Sequence, residues 1–197
     1  SSQNISVLEV GANARAFAPF LEFIGVRTLV ITDIDTTKSV VSEKTGKTSY
    51  PACPVAESSH TSNETLKHFL SAPDPKEEKD FSDWHKRLVD GAASSGEGQI
   101  ELAYQLAEDG YHARSFEDAF ISINLDKVKA RKDALAGLKN RDTLEEFSGN
   151  DYYSLTAKIL GKKSDFAGSI LYLALVEGES WRVPKYIMDG LKWIHEN

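Results

Sequence analysis

The sequence is poor in cysteine, in long apolar runs and in positive charge. Its single cysteine, Cys53, makes an intrachain disulfide impossible and excludes a zinc site built from several cysteines. The longest apolar run, ILYLALV, is much shorter than the ~20 residues that span a bilayer. The opening residues also lack the pattern of a signal peptide. A cytoplasmic protein with no membrane partner is therefore expected.

The charge balance limits the kinds of partner. A net charge of −7 argues against a passive nucleic-acid-binding module, because such modules must neutralise phosphates. It is compatible with a metal-dependent enzyme, whose carboxylate cluster makes the protein acidic until cations bind. The 197 residues suffice for one large domain, or for a compact domain with an appendage.

The first 35 residues predict a strand, a helix and a second strand. The segment NISVLEVGA (4–12) predicts the first strand, and helically spaced apolar residues follow until Gly25. VRTLVITDID is nearly continuous in apolar residues, which is typical of a strand buried on both faces. This order predicts a βαβ unit and a parallel sheet.

The rest of the chain alternates loops and helices. A helix is predicted after a cap at Ser62 or Asn63. The charged, proline-bearing stretch that follows is interpreted as part of a solvated insertion at about 71–98. QIELAYQL predicts another strand, and RSFEDAFISIN, SDFAGSILYLALV and VPKYIMDGLKWIHEN predict helices.

The predicted second strand ends in two aspartates, Asp33 and Asp35. Residues i and i+2 of a strand share a face, so the two carboxylates would project together and repel one another. A divalent cation such as Mg²⁺ would relieve that repulsion. Solvent would do so too, because aspartate is common in turns that follow strands. Ligands of parallel sheets gather beyond the carboxyl ends of strands, which favours the metal interpretation.

Two later motifs leave alternatives open. In RSFEDAF, Ser115 is either a helix cap, with Asp118 in the first turn, or a metal ligand together with Glu117. In GKKSDFA, Lys163 either lies in a solvated helix start or supplies positive charge to a phosphoryl transition state.

The motifs occur together in an order that resembles a known family. The matching segments are LEVGANARAFAPFLEFIGVRTLVITDIDT, TSNETL, AYQ, ARSFEDAFISIN, KKSDFA and VPKYIMDGLKWI. They resemble the C-terminal Toprim region of overcoming-lysogenization-defect (OLD) family nucleases. The resemblance implies an α/β fold with a Toprim-like, mainly parallel sheet flanked by helices over 1–125. A helical region, 126–197, would pack on that core.

The same resemblance implies metal-dependent cleavage of DNA phosphodiesters by a two-metal mechanism, with Mg²⁺ or Mn²⁺. Asp33 and Asp35 match the DxD carboxylates, which are catalytic and bind metal. Ser115 and Glu117 match the S-x-E positions of the second metal, and Lys163 matches the lysine implicated in catalysis.

The resemblance further implies parts that these residues do not contain. The first Toprim strand, with its glutamate, is expected before residue 5. LVEGES imitates that motif, but Glu177 and Glu179 are interpreted as a helix end. ATP is expected to act only through an N-terminal ATPase domain absent from this chain, since GKT at 46–48 follows Val41 where a phosphate loop needs glycine. DNA, that ATPase domain and further copies in a homo-oligomer are the expected partners.

Two other functions fit parts of the pattern. DIDTT also matches D-x-D-x-[TV], the motif of haloacid-dehalogenase (HAD)-like phosphatases and phosphotransferases, whose first aspartate attacks phosphorus. That family needs a later pair of acidic residues at a strand end, which the sequence does not show. A non-catalytic domain that mediates oligomerisation is the third alternative.

Overall fold

The computed structural model describes residues 5–93 and 98–195 as a mixed α/β fold. Strand β1 (Thr28–Ile31) pairs in parallel with β6 (Ile100–Ala103), so a parallel pairing is confirmed. The short strands form antiparallel pairs: β2 (Thr36–Thr37) with β5 (His60–Thr61), and β3 (Val40–Val41) with β4 (Thr48–Ser49). Among the described residues the parallel sheet consists of the pair β1–β6 alone, and the two antiparallel pairs are separate from it.

Helices supply most of the regular structure. In chain order they are α1 (Ala18–Ile24), α2 (Glu64–Phe69), α3 (Glu78–Val89), α4 (Phe116–Ala130), α5 (Arg141–Glu146), α6 (Tyr152–Ile159), α7 (Lys163–Val176) and α8 (Lys185–His195). A 3-10 turn, Gly11–Phe17, leads into α1, and Gly25 ends that helix with a φ of 61°. None of the helices in the described ranges is long and apolar enough to cross a membrane.

The predicted N-terminal strand is wrong for the residues that are described, which exclude Asn4. Residues 5–10 form no strand, and Val7 and Leu8 are exposed. This segment lines a cavity of about 980 Å³ together with α1 and β1. No described strand pairs with the second edge of β1. No residue of β1 is fully buried and Ile31 is 47% exposed, so the strand is not buried on both faces as predicted.

One hydrophobic core, here called the α/β core, gathers side chains from short elements. Its buried members are Ile34, Val55, Leu66, Leu70, Phe81, Trp84, Leu88 and Tyr104. Three of them lie on α3, which corrects the prediction of a solvated insertion at 71–98. Their spacing of three and four residues makes one face of α3 apolar despite its many charges. Residues 94–97 of the predicted insertion lie outside the described residues.

A second core, here called the helical core, lies between α4, α5, α6 and α7. Its buried members are Phe120, Ile121, Val128, Leu135, Leu138, Leu144, Leu155, Ile159, Phe166 and Leu173. The boundary predicted between residues 125 and 126 falls inside α4, next to Asn124, whose ψ of 20° interrupts the helix. Helix α7 ends before Glu177, and Glu177 and Glu179 both pair with Arg131, which confirms the predicted helix end.

Helix α8 returns the chain to the parallel pair and contacts both β1 and β6. Gly190 allows this approach, because a Cβ atom there would lie 2.8 Å from Leu29 Cδ1 and 3.1 Å from Ala103 Cβ. The start of α8, with Tyr186, is thereby placed beside the ends of the two strands.

Candidate metal and phosphate site

Asp33 and Asp35 lie in a turn rather than in a strand. Strand β1 ends at Ile31, and Asp35 has a φ of 48°, in the left-handed region that aspartate tolerates better than most residues. The two-residue period of a strand therefore does not explain their proximity. Both side chains nevertheless line one cavity of about 470 Å³, here called the aspartate cavity.

The start of α2 holds this turn in place. The Asn63 side chain caps α2, and its Nδ2 donates to Thr32 Oγ1 at 2.7 Å and to the Asp33 carbonyl at 2.6 Å. The Ser62 amide donates to the Asp35 carbonyl at 3.0 Å. The cap predicted for α2 is thus confirmed at Asn63, and the same residue fixes the backbone that carries the aspartates.

Asp33 is a half-buried carboxylate with two donors on one oxygen. Its Oδ1 accepts hydrogen bonds from Gln105 Nε2 at 2.6 Å and from the Phe116 amide at 2.9 Å. The pKa of Asp33 is raised to about 6, chiefly by burial and also by the negative charges of Asp35 and Glu117, against the opposing effect of those hydrogen bonds. The ionised carboxylate is therefore incompletely compensated in the folded protein.

Asp35 has a cationic partner. Its Oδ1 lies 3.1 Å from Nη2 of Arg114, whose Nε donates to the Thr36 carbonyl at 3.0 Å. The Arg114 guanidinium therefore ties the aspartate turn to the segment that precedes α4. One oxygen of Asp35 is engaged in this way, while the side chain stays 38% exposed.

Ser115 caps α4, in agreement with the first of its two interpretations. Its hydroxyl donates to Asp118 Oδ1 at 2.6 Å, and its amide donates to the same oxygen at 2.7 Å. Asp118 Oδ2 accepts from Tyr111 Oη and from the Arg114 amide, each at 2.8 Å. The Ser115 hydroxyl is thus committed to the helix start and would have to rotate to bind a metal.

Glu117 and Lys163 form the neighbouring part of the site. Glu117 is 9% exposed, and its Oε2 accepts from Lys163 Nζ at 3.0 Å. Both residues, with Ser115, line a second cavity of about 290 Å³, here called the lysine cavity. The Lys163 side chain is 66% exposed, so its ammonium group is accessible to a ligand. The structure therefore brings Glu117 and Lys163 together, in a cavity adjacent to that of the aspartates.

The chemistry of the donors suits a hard divalent cation. Carboxylate oxygens are the ligands that Mg²⁺ and Mn²⁺ prefer, and the charge concentrated at Asp33 would be relieved by a cation. Across residues 5–93 and 98–195, no three His, Cys, Asp or Glu side chains converge as in a preformed metal centre. Asp33 and Asp35 are therefore suitable ligands for such a cation as they stand. Glu117 could bind it only after its ion pair with Lys163 breaks.

Gln105, Tyr186 and Arg114 are not among the residues predicted from the sequence. For Gln105 a signal was present, because it follows β6 by two residues as Asp33 follows β1, and Ile31 is opposite Ala103 in the parallel pair. Polar residues at that offset meet at the same sheet edge. Tyr186 and Arg114 carry no such local signal, since their positions depend on how α8 and the α4 start pack.

Comparison with known proteins points to one distant relative. The chain is 28% identical over 209 aligned positions to Endonuclease GajA of Bacillus cereus (strain HuB5-5). The match covers 96% of this chain and 27% of that protein, so the chain spans about a quarter of its relative's length. No family model and no solved structure matches the chain. The chain is thus distantly related to a protein named as an endonuclease.

Proposed function

We propose that this chain is the catalytic, Toprim-like region of a metal-dependent DNA endonuclease of the OLD family. The observation that carries the proposal is that Asp33 and Asp35 line one cavity, where burial first and then the charges of Asp35 and Glu117 raise the pKa of Asp33 to about 6. The distant similarity to an endonuclease supports DNA as the substrate.

The proposed partners follow from the length of the relative. Because the match covers 27% of that protein, we propose that the region acts within a longer chain whose N-terminal ATPase domain uses ATP. Assembly into a homo-oligomer and a cytoplasmic location belong to the same proposal.

Each residue has a role in this proposal. Asp33 and Asp35 would hold Mg²⁺ or Mn²⁺, and Glu117, with Ser115 after rotation of its hydroxyl, would hold the second ion. Such ions supply positive charge beside the scissile phosphate and make water a better nucleophile. Lys163, released from Glu117, would contact a phosphate oxygen and stabilise negative charge as it develops. Arg114 would keep Asp35 oriented through their ion pair.

Plasmid nicking tests this function. The protein should convert supercoiled plasmid to open circles with Mn²⁺ or Mg²⁺. We expect Asp33→Ala to reduce the rate about 100-fold or more, the scale on which charge-stabilising groups act in catalysis. Asp83→Ala, which removes an exposed carboxylate of α3 outside both cavities, is the matched control and should nick normally.

The same assay separates the alternatives. Undiminished nicking by Asp33→Ala would refute the assignment of the site. Hydrolysis of a small phosphomonoester without nicking would favour the HAD-like alternative. Absence of both activities, in an assembling protein that also includes the expected first Toprim strand with its glutamate, would favour the oligomerisation domain.

A further inference from the structure

Gln105 is a buried amide whose orientation is dictated by its neighbours. Its side chain is fully buried, and its Oε1 accepts from the Ile34 amide at 2.7 Å. Only the oxygen can accept that bond, so the Nε2 group must face Asp33 and Tyr186. It donates to Asp33 Oδ1 at 2.6 Å and to Tyr186 Oη at 3.1 Å.

Both N–H groups of Nε2 thereby donate to residues of the candidate site. One N–H holds a carboxylate oxygen of Asp33, and the other holds the hydroxyl of Tyr186 on α8. Tyr186 accepts this bond, so its own proton remains available to the aspartate cavity, which Tyr186 lines. Gly190 holds α8 against β1 and so keeps the hydroxyl within reach of the amide.

We propose that Gln105 is a positioning residue for Asp33, and that Tyr186 fixes the plane of the Gln105 amide. The proposal rests on the proposed nuclease function and deepens it, because it makes α8 part of the apparatus that orients a metal ligand. The Phe116 amide and Gln105 Nε2 hold Oδ1 together, which leaves Asp33 Oδ2 to face the cation. Partners of this kind typically change metal affinity by about 10–100-fold when they are removed.

Mn²⁺ binding without DNA provides the test. The free ion is measured by electron paramagnetic resonance while Mn²⁺ is titrated into the 197-residue chain, and plasmid nicking is followed in parallel. We expect Gln105→Met, which has a similar shape and no donor, to weaken Mn²⁺ binding about tenfold. Tyr186→Phe should weaken it about threefold, because the amide then loses one of its two restraints.

Two matched controls separate positioning from general loosening. Trp84→Phe removes a buried hydrogen bond to the Leu70 carbonyl without touching Asp33 or the residues that hold its backbone. Tyr104→Phe removes a buried tyrosine hydroxyl that donates to the Leu88 carbonyl in the α/β core. Both controls should lower thermal stability and leave the Mn²⁺ affinity unchanged.

The outcomes are distinguishable from those for the proposed function. Equal Mn²⁺ affinity of Gln105→Met and wild type, or equal losses of affinity in Gln105→Met and Trp84→Phe, would overturn the proposal while wild-type nicking persists. If Gln105→Met does not fold, the test depends on Tyr186→Phe. A Mn²⁺ affinity of Tyr186→Phe equal to that of Tyr104→Phe then overturns the proposal. If the wild type binds Mn²⁺ but nicks no DNA, the nuclease function fails and the affinity comparison still decides the role of Gln105.

Discussion

The two hydrophobic cores are built in different ways. The helical core joins helices that are close together in sequence, and each helix presents a locally spaced apolar face. The α/β core joins short segments that are distant in sequence, such as those of Ile34, Trp84 and Tyr104. Local spacing therefore describes the helical core well, whereas the α/β core depends on pairings that only the folded chain reveals.

The candidate site lies where these two regions meet. Asp33 and Asp35 belong to the α/β region, while Glu117 and Lys163 belong to helices that enter the helical core. Helix α4 connects the two, since its first amide donates to Asp33 and its later turns are buried among the other helices. Substitutions that destabilise either region should therefore disturb the candidate site. Those in the α/β region should displace the aspartates, and those in the helical region should displace Glu117 and Lys163.

Truncation of Trp84 should have the largest effect on stability. This side chain is 1% exposed and its Nε1 donates to the Leu70 carbonyl at 2.8 Å. We expect Trp84→Ala to reduce the free energy of unfolding by about 3–5 kcal/mol, measured by urea denaturation. Lys86→Ala, on the exposed side of the same helix, should change it by less than about 0.5 kcal/mol. Similar values for the two variants would restore the interpretation of this segment as a solvated insertion.

Removal of the Asp33 charge should stabilise the metal-free protein. The pKa of Asp33 rises from its ordinary value of 3.8 to about 6 on folding. The folded state therefore binds this proton more tightly than the unfolded chain, so ionisation destabilises the fold progressively between those two pH values. Asp33→Asn keeps an acceptor for Gln105 and Phe116, and we expect it to gain at most about 3 kcal/mol above pH 7.

That gain should disappear below about pH 4, where the carboxyl is protonated in both states of the wild type. Urea denaturation of both proteins across this pH range, with a chelator present, measures it. Asp83→Asn, at an exposed position of α3, should show no such dependence. A loss of stability by Asp33→Asn at every pH would mean that the buried charge is already compensated in the folded protein.

A backbone clash in the helical region should reduce stability by a smaller amount and should also disturb the candidate site. Gly137 has a φ of 83°, and a Cβ atom there would lie 2.3 Å from the Lys162 carbonyl oxygen. Gly110 has a φ of 80° with open space around it, so Gly110→Ala meets the same conformational strain without a clash. We expect Gly137→Ala to be less stable than Gly110→Ala by about 1–3 kcal/mol.

Gly137→Ala should also slow nicking, because the Gly137 carbonyl accepts from the Gly161 and Lys162 amides and so holds the start of α7, where Lys163 lies. Gly110→Ala should nick at the wild-type rate. Equal thermal stability and equal nicking in the two variants would show that α7 adjusts without moving Lys163.

The sequence predicts the helical parts of the fold and the general location of the site. Spacing of apolar residues predicts α1, α4, α7 and α8, because that pattern is contained within each helix. It does not reveal that α3 is buried, since charged residues conceal its one apolar face. The N-terminal strand is wrongly predicted: residues 5–10 lie beside β1 without pairing with it, and apolar residues alone do not make a strand.

The candidate site likewise has residues that local sequence predicts and contacts that depend on tertiary packing. Asp33 and Asp35 are predictable from their place after an apolar run, and Ser115 from its place before a helix. The hydrogen bonds that join Asp33 to Gln105 and Gln105 to Tyr186 connect three distant parts of the chain. The parallel pairing of β1 and β6 accounts for the meeting of Asp33 and Gln105. No local pattern encodes the contact with Tyr186, which depends on the packing of α8 on the parallel pair.

The second edge of β1 has a practical consequence for handling this protein. Leu8, Phe20 and Val26 are exposed and line the cavity that β1 also lines. A strand edge that no described strand pairs, with such an apolar border, favours association between identical molecules. In purified form, we expect solubility rather than unfolding to limit the usable concentration. Phe20→Lys, at a position outside the aspartate and lysine cavities, is the simplest way to keep the molecules apart.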